Sequence, residues 1–265
     1  SYAGQITAAT HATINAGGGT LTGTGGLVKD GTTLTIAGGG SVIVNSTGIS
    51  GASASSDLVV DGTTLVVNAN SNYNGPTTVQ NSGVLVANAA VTTTQMTVDS
   101  NSTLSGTGSI DNGAGLVTLG GALIVGNAPT VADFEISGTG STVLGGTSTL
   151  AFDLFTRGGD LTGDATSADR LRLFGTLNAT LGGTLVLGNP APLSGFAAGD
   201  EWLLVDLQGG ASITGALGLN FTALNLGPGL TGSFDNGTGV FSIIAVPEPA
   251  RVVLLLAGIQ AVLLR

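Results

Sequence analysis

Apolar residues in this chain arrive in bursts of three or four, separated by clusters of Gly, Asp, Asn, Ser and Thr. In GTLTGTGGLVKDGTTLTIAGGGSVIVNS (19–46) the bursts fall at Leu21, Leu27-Val28, Leu34 to Ile36 and Val42 to Val44. The Gly, Asp and Ser between them supply positive φ and turn geometry. The same beat runs through DLVVDGTTLVVNAN (57–70), TTVQNSGVLVANA (77–89) and TLSGTGSI (103–110), with about six to ten residues from one burst to the next. DGTTLTI (30–36) returns as DGTTLVV (61–67), an internal repeat. Before residue 249 no stretch holds a helical period, and the dominance of Thr, Val, Ile and Gly disfavours helix.

The prediction is an all-β chain of short strands. Strands at this pitch suit a sandwich, a barrel or a solenoid. The repeated blocks, the lack of a two-residue hairpin turn at each step and the Thr/Asn/Gly bias favour a parallel β-solenoid. Its equivalent positions would stack into ladders of Val, Leu, Thr or Asn, with hydrogen bonds along the axis. At roughly 20 residues and ~4.8 Å per coil, some ~240 residues would make a rod roughly 50–60 Å long. Strand edges at the two ends of such a rod must be capped or paired.

Composition narrows the picture. Charged residues are 8% of the chain, against ~25% in ordinary globular domains, and 46 of 265 residues are Gly. The abundance of Val, Leu and Ile argues against disorder. Aromatics at 4% imply a narrow core of aliphatic side chains. Without Cys, neither disulfides nor thiol chemistry is available. A net charge of −10 with six basic residues argues against nucleic acid as a partner. Lys29 is the only basic residue in the first 150. The weakly acidic Asp, Thr, Ser and Asn surface suits an extracellular protein, whose signal peptide is expected to have been removed.

The chain shifts in character near residue 150. Residues 148–190 carry longer strands, three of the five Arg and three of the eight Phe, and 199–210 hold the only Trp. Three regions are expected: a repeat solenoid rod over 1–149, a C-terminal solenoid and capping region over 150–245, and a tail over 246–265. In the tail, Pro247, Glu248 and Pro249 precede an apolar run predicted as a short α-helix. It contains Val252, Val253, Leu254, Leu255, Leu256, Ile259, Val262, Leu263 and Leu264 and closes on Arg265. Residues 250–265 would span about 24 Å as a helix, short of the ~30 Å hydrocarbon core. Permanent membrane anchoring is therefore not expected. Some 13 apolar residues in water are a liability, and burial against the rod's own end or a neighbouring molecule makes the tail an assembly element.

Chemistry finds little purchase, and no catalytic residue is assigned. His11, the only His, is expected at a solvated turn, and no Ser-His-Asp set or metal-binding His pair can be assembled. Asp153, Arg157, Asp160, Asp164, Asp169, Arg170 and Arg172 form the best acidic and basic cluster. β-Helices do host polysaccharide lyases and hydrolases that use such groups, but a surface ion-pair network is the expected role. Asp160, Asp164 and Asp169 in GGDLTGDATSAD are a candidate Ca²⁺ site by donor chemistry, without EF-hand spacing. The expectation there is a solvated acidic loop, with no cofactor. Sequon-like triplets at Asn45, Asn101, Asn178, Asn220 and Asn236 are ascribed to the abundance of Asn and Thr, and several Asn to ladders inside the solenoid. Trp202 and Phe196 are expected to pack the terminal cap, the alternative for Trp202 being an exposed sugar-stacking ring.

Residues 72–110 resemble the autotransporter-associated β-strand repeat. Tyr73-x-Gly75-x-Thr77-Thr78-Val79 and Gly83-x-Leu85 match its core, and Leu104-x-Gly106-x-Gly108-x-Ile110 its close. Ser82-Gly83-Val84 stands where that repeat usually reads Ala-Gly-Thr. Residues 168–188 and 196–210 resemble the region before the tail in many exported bacterial proteins of this type. The tail resembles a PEP-CTERM sorting signal, with Pro247-Glu248-Pro249 as its motif, although its apolar run is short and a single Arg follows. These resemblances cover about two thirds of the chain. They imply a right-handed parallel β-helix, export by a Gram-negative biofilm-forming bacterium and a tail processed by exosortase-type machinery. The expected function is an extracellular structural protein, a self-assembling filament or biofilm-matrix subunit joined end to end through the tail, with transient membrane contact at most. The alternatives are a monomeric surface adhesin whose tail only sorts it and, less favoured, a polysaccharide-acting enzyme.

Overall fold

In a computed structural model, residues 1–126, 130–159, 161 and 167–246 are described. Among them, three nine-stranded sheets stack side by side, and every neighbouring pair of strands within them is parallel. Apart from Glu201–Leu203, which belongs to a separate sheet, consecutive strands up to Asn220 visit the first, second and third sheet in turn, so each circuit of the chain adds one strand to each. The first circuit is Ile6–Thr7, Ala12–Asn15 and Thr20–Gly23; the fifth is Ala90–Thr92, Met96–Val98 and Thr103–Gly106; the ninth is Val205–Gln208, Ser212–Gly215 and Gly218–Asn220. This is a β-solenoid. Residues 246–265, which carry the predicted C-terminal helix, lie outside the described residues from Pro247 onward. Among the described residues the only helical element is a single 3₁₀ turn, Thr222–Leu224.

The core follows from alternation. In each four-residue strand, alternate side chains point inward and meet the same position of the next coil ~4.8 Å away. The third sheet buries Val42, Leu65, Leu85, Leu104, Leu123, Leu150 and Leu185 in one unbroken register. The second buries Ile36, Val60, Val79, Val98, Leu119 and Leu144 in the same way. Aliphatic ladders from three sides fill a narrow prism, which explains how the chain manages with few aromatics. Some polar intrusions are satisfied locally: inward Ser71 accepts from the Ile49 N–H at 2.9 Å and donates to the Ala69 carbonyl at 3.1 Å.

The glycine content is explained at the corners. The residues just before the strands of the third sheet alternate along the axis as Gly40, Thr63, Gly83, Ser102, Gly121, Ser148 and Gly183. A Cβ on Gly121 would stand 2.1 Å from the Ser102 carbonyl oxygen, and one on Gly183, at φ +83°, 2.2 Å from that of Ser148. Each small residue leaves room for the backbone of the preceding coil.

The rod is shorter than chain length predicts. Leu58 pairs with Thr77, 19 residues on, but Ser141 pairs with Asn178 and Asn178 with Ser212, 37 and 34 residues on. Nine layers therefore span about 38 Å rather than 50–60 Å. The later coils spend chain on excursions between their strands, and the last part of the chain leaves the stack altogether. Past residue 150 come the last two layers and a three-stranded antiparallel sheet of Glu201–Leu203, Leu230–Asp235 and Val240–Ala245. Phe221, Leu224, Leu226, Leu230 and Phe234 of this terminal region pack against the core.

Candidate functional site

The three outer faces of the rod differ chemically. The first sheet carries most of the charges: Asp111, Glu135, Arg172 and Asp206 lie on its strands. The second presents a column of Thr13, Thr35, Val59, Thr78, Thr97 and Thr118, continued by Val143, Thr180 and Thr214. The third presents Ile43, Val66, Val86, Ser105, Ile124, Ala151 and Val186 in one register, and its strands hold no charged residue but Asp153.

Between the first and second sheets the chain turns a corner whose stacked positions are Ala8, Lys29, Gly51, Tyr73, Thr93, Asn112 and Gly138. Gly51 lacks a side chain, so Lys29 reaches across it. Its Nζ lies 3.6 Å from the centroid of the Tyr73 ring and donates to the Ser56 carbonyl. Lys29 is completely buried, and burial lowers its pKa to about 7 against a weaker opposing pull from Asp57. Burial likewise pushes the Tyr73 phenol upward. Its hydroxyl is 2.6 Å from Thr77 Oγ1, which is 2.9 Å from Thr93 Oγ1, which donates to the Gly75 carbonyl at 2.8 Å. The residue types along this corner predict none of this, because the contact depends on which residue falls two coils below Lys29.

Beside that corner a polar groove of about 440 Å³ is lined by Asn72, Asn74, Thr92, Thr94, Asp111 and Asn112. It offers amides, hydroxyls and one carboxylate. Asn112 is 1% exposed and its Oδ1 has no hydrogen-bond partner.

Among the described residues, the acidic and basic cluster from the sequence does not form one group. Arg157 pairs with Asp200 at 3.1 Å, and Arg172 with Asp206 at 3.8 Å and with Gln208 at 3.3 Å. Asp169 does not sit in a solvated loop. It is 1% exposed, with Oδ1 accepting from the Ala132 N–H at 3.0 Å and Oδ2 from the Asp153 N–H at 3.1 Å. Burial raises its carboxyl to about 7, and the charges of Asp153 and Asp133 push the same way. Asp153 is also raised by burial. Arg170, buried, is in register with Asp133 on the neighbouring strand. Asp160 and Asp164, the other members of the candidate Ca²⁺ set, lie outside the described residues. Among the described residues no group of three metal-ligating side chains comes together.

Trp202 is fully buried and does not present its ring to solvent. It packs against Phe196 and Phe241, each ring at 6.1 Å, and its Nε1 donates to the Thr156 carbonyl at 2.9 Å. His11 is exposed, and its Nδ1 accepts from the Thr33 N–H at 3.0 Å. An Asn ladder does form, but on the surface: Asn88 donates to Asn68 and Asn68 to Asn45, both at 2.8 Å. The sequon residues Asn45, Asn101, Asn178 and Asn220 are exposed, and Asn236 is half-buried. Pro247, Glu248, Pro249 and the apolar run from Val252 to Arg265 lie outside the described residues. The last described residue, Val246, donates its N–H to the Gly229 carbonyl at 2.8 Å beside the antiparallel sheet. No protein-family model, curated protein or solved structure matches this chain.

Proposed function

We propose that this chain is an exported structural protein of a Gram-negative bacterium, a right-handed β-helix rod that joins its neighbours end to end into a filament or biofilm matrix. The observation that carries this reading is the stack itself. Nine parallel layers, in a chain without Cys, direct their strand-to-strand hydrogen bonds along one axis. A rod built this way gains stability from each neighbour added, and its edge strands favour a further strand partner. Head-to-tail addition that does not close on itself produces an open filament. The tail, residues 246–265, follows the antiparallel sheet in the chain and serves as the contact element. Electron microscopy of the full chain and of residues 1–246 tests this: filaments from the full chain alone support it, and short single rods from both would overturn it.

A second reading, a monomeric surface adhesin whose tail is a PEP-CTERM-type sorting signal, is favoured by the polar groove beside Asn112. Sugar-array binding by residues 1–246, lost in an Asn72→Ala/Asp111→Ala variant, would select it.

A further inference from the structure

We infer that the outward face of the third sheet is a lateral pairing surface, on which a second copy of this chain lays its own third sheet. Side chains on the solvent side of a solvated sheet are expected to be polar. Here Ile43, Val66, Val86, Ile124, Ala151 and Val186 form one outward column, broken only by Ser105. None of the six is buried, and Ile124 is 43% exposed. The outward column beside it runs Ser41, Thr64, Val84, Thr103, Ala122, Thr149 and Thr184, without charge. Apart from Asp153 at the end of one strand, this is an uncharged face rich in β-branched residues, the kind two sheets present to each other when they pack about 10 Å apart.

Charge selects the partner and the face. With a net charge of −10, two copies repel unless they meet where charge is absent. The first sheet holds Asp111, Glu135 and Asp206 on its strands, and it is a separate side of the prism. Beyond a Debye length of about 8 Å that repulsion is screened at physiological salt. A glycan would call for aromatic platforms or convergent polar groups, which this face lacks and the groove beside Asn112 has in part.

Area sets the strength. Seven rows of four-residue strands cover about 29 by 13 Å, on the order of 800 Å² over both copies. That is below the ~1,200 Å² of a stable specific interface, so an isolated pair is weak. Repetition along a filament multiplies it. In this respect the inference rests on the end-to-end reading, while the pairing itself does not.

The test compares the full wild-type chain with Val66→Lys/Val86→Lys, whose folding is checked by circular dichroism and thermal midpoint. Because the chain has no Cys, Val86→Cys and the second-sheet control Thr97→Cys report face-to-face contact by disulfide formation. The expected result is paired or bundled wild-type filaments and single filaments from the double Lys variant. At least tenfold more cross-linked dimer is expected from Val86→Cys than from Thr97→Cys. Single wild-type filaments with no preferential cross-link overturn the pairing and leave end-to-end assembly standing. Paired short rods without filaments support the pairing and remove the end-to-end reading. Bundles that persist in the double Lys variant overturn the pairing. So does wild-type binding to a glycan or to lipid vesicles that depends on Val66 and Val86 in the absence of pairing.

Discussion

Lys29→Met removes a buried ammonium and leaves an unbranched apolar chain in the gap above Gly51. In the folded chain Lys29 titrates at about 7, against about 10.4 when unfolded. Between those values the unfolded state binds more protons, so stability rises with pH through that window. At about 1.4 kcal/mol per pKa unit, the full difference is about 4–5 kcal/mol, gained from pH 7 to about 10.5. Below pH 7 the wild type bears that penalty in full. Met forgoes about 1–2 kcal/mol of the gain, because it leaves the buried Ser56 carbonyl without the Lys29 donor. Lys29→Met is therefore expected to be about 2–3 kcal/mol more stable at pH 6 and to lose the wild type's rise in stability up to pH 10. Solenoid stability is roughly a sum over neighbouring coils, so the change should be local. Urea unfolding from pH 6 to 10, with amide exchange followed at Val28, Ser50 and Asn72, reads both properties. A wild type whose stability is flat or falling from pH 7 to 10, or a Met variant less stable at pH 6, refutes the reasoning.

Asp169 has the opposite sign. Its folded carboxyl titrates at about 7 against about 3.9 unfolded, so its contribution is complete below about pH 4 and is lost as pH rises through 7. Asp169→Asn should flatten that slope in a urea series, yet cost about 1–3 kcal/mol at pH 5, because the amide nitrogen cannot accept from a second backbone N–H. Gly121→Ala should open the stack between the fifth and sixth coils, seen as fast amide exchange at Leu104 and Leu123 with the first three coils unchanged. Trp202→Ala should cost about 3–5 kcal/mol in the terminal region, measured as a lowered first thermal transition, with the early coils still protected.

The solenoid was legible because its signal is local. The burst at Leu34 to Ile36 and its return at Leu65 to Val67 announce strands, and the Gly and Asp between them announce turns. Which residue lies over which was not legible. That register depends on coil length, and coils vary from 19 residues at Leu58 to 37 at Ser141. The Lys29–Tyr73 contact, the outward aliphatic column and the shortened rod all follow from register. Asp169 reads as one of several Asp in a Gly-rich loop, yet the bridge between Leu154 and Ala168 draws the chain back and buries it. Trp202 was legible as a packing residue, because a lone Trp in a chain poor in aromatics gains most by burial with Phe196 and Phe241.

The measurement that tests the central claim most directly is diffraction from oriented assemblies of the full chain. If rods join end to end, the ~4.8 Å strand spacing appears on the meridian, along the filament axis, and a longer axial repeat close to the nine-layer rod length accompanies it. Filaments whose ~4.8 Å reflection lies on the equator, or preparations that hold only dispersed short rods, would contradict the account.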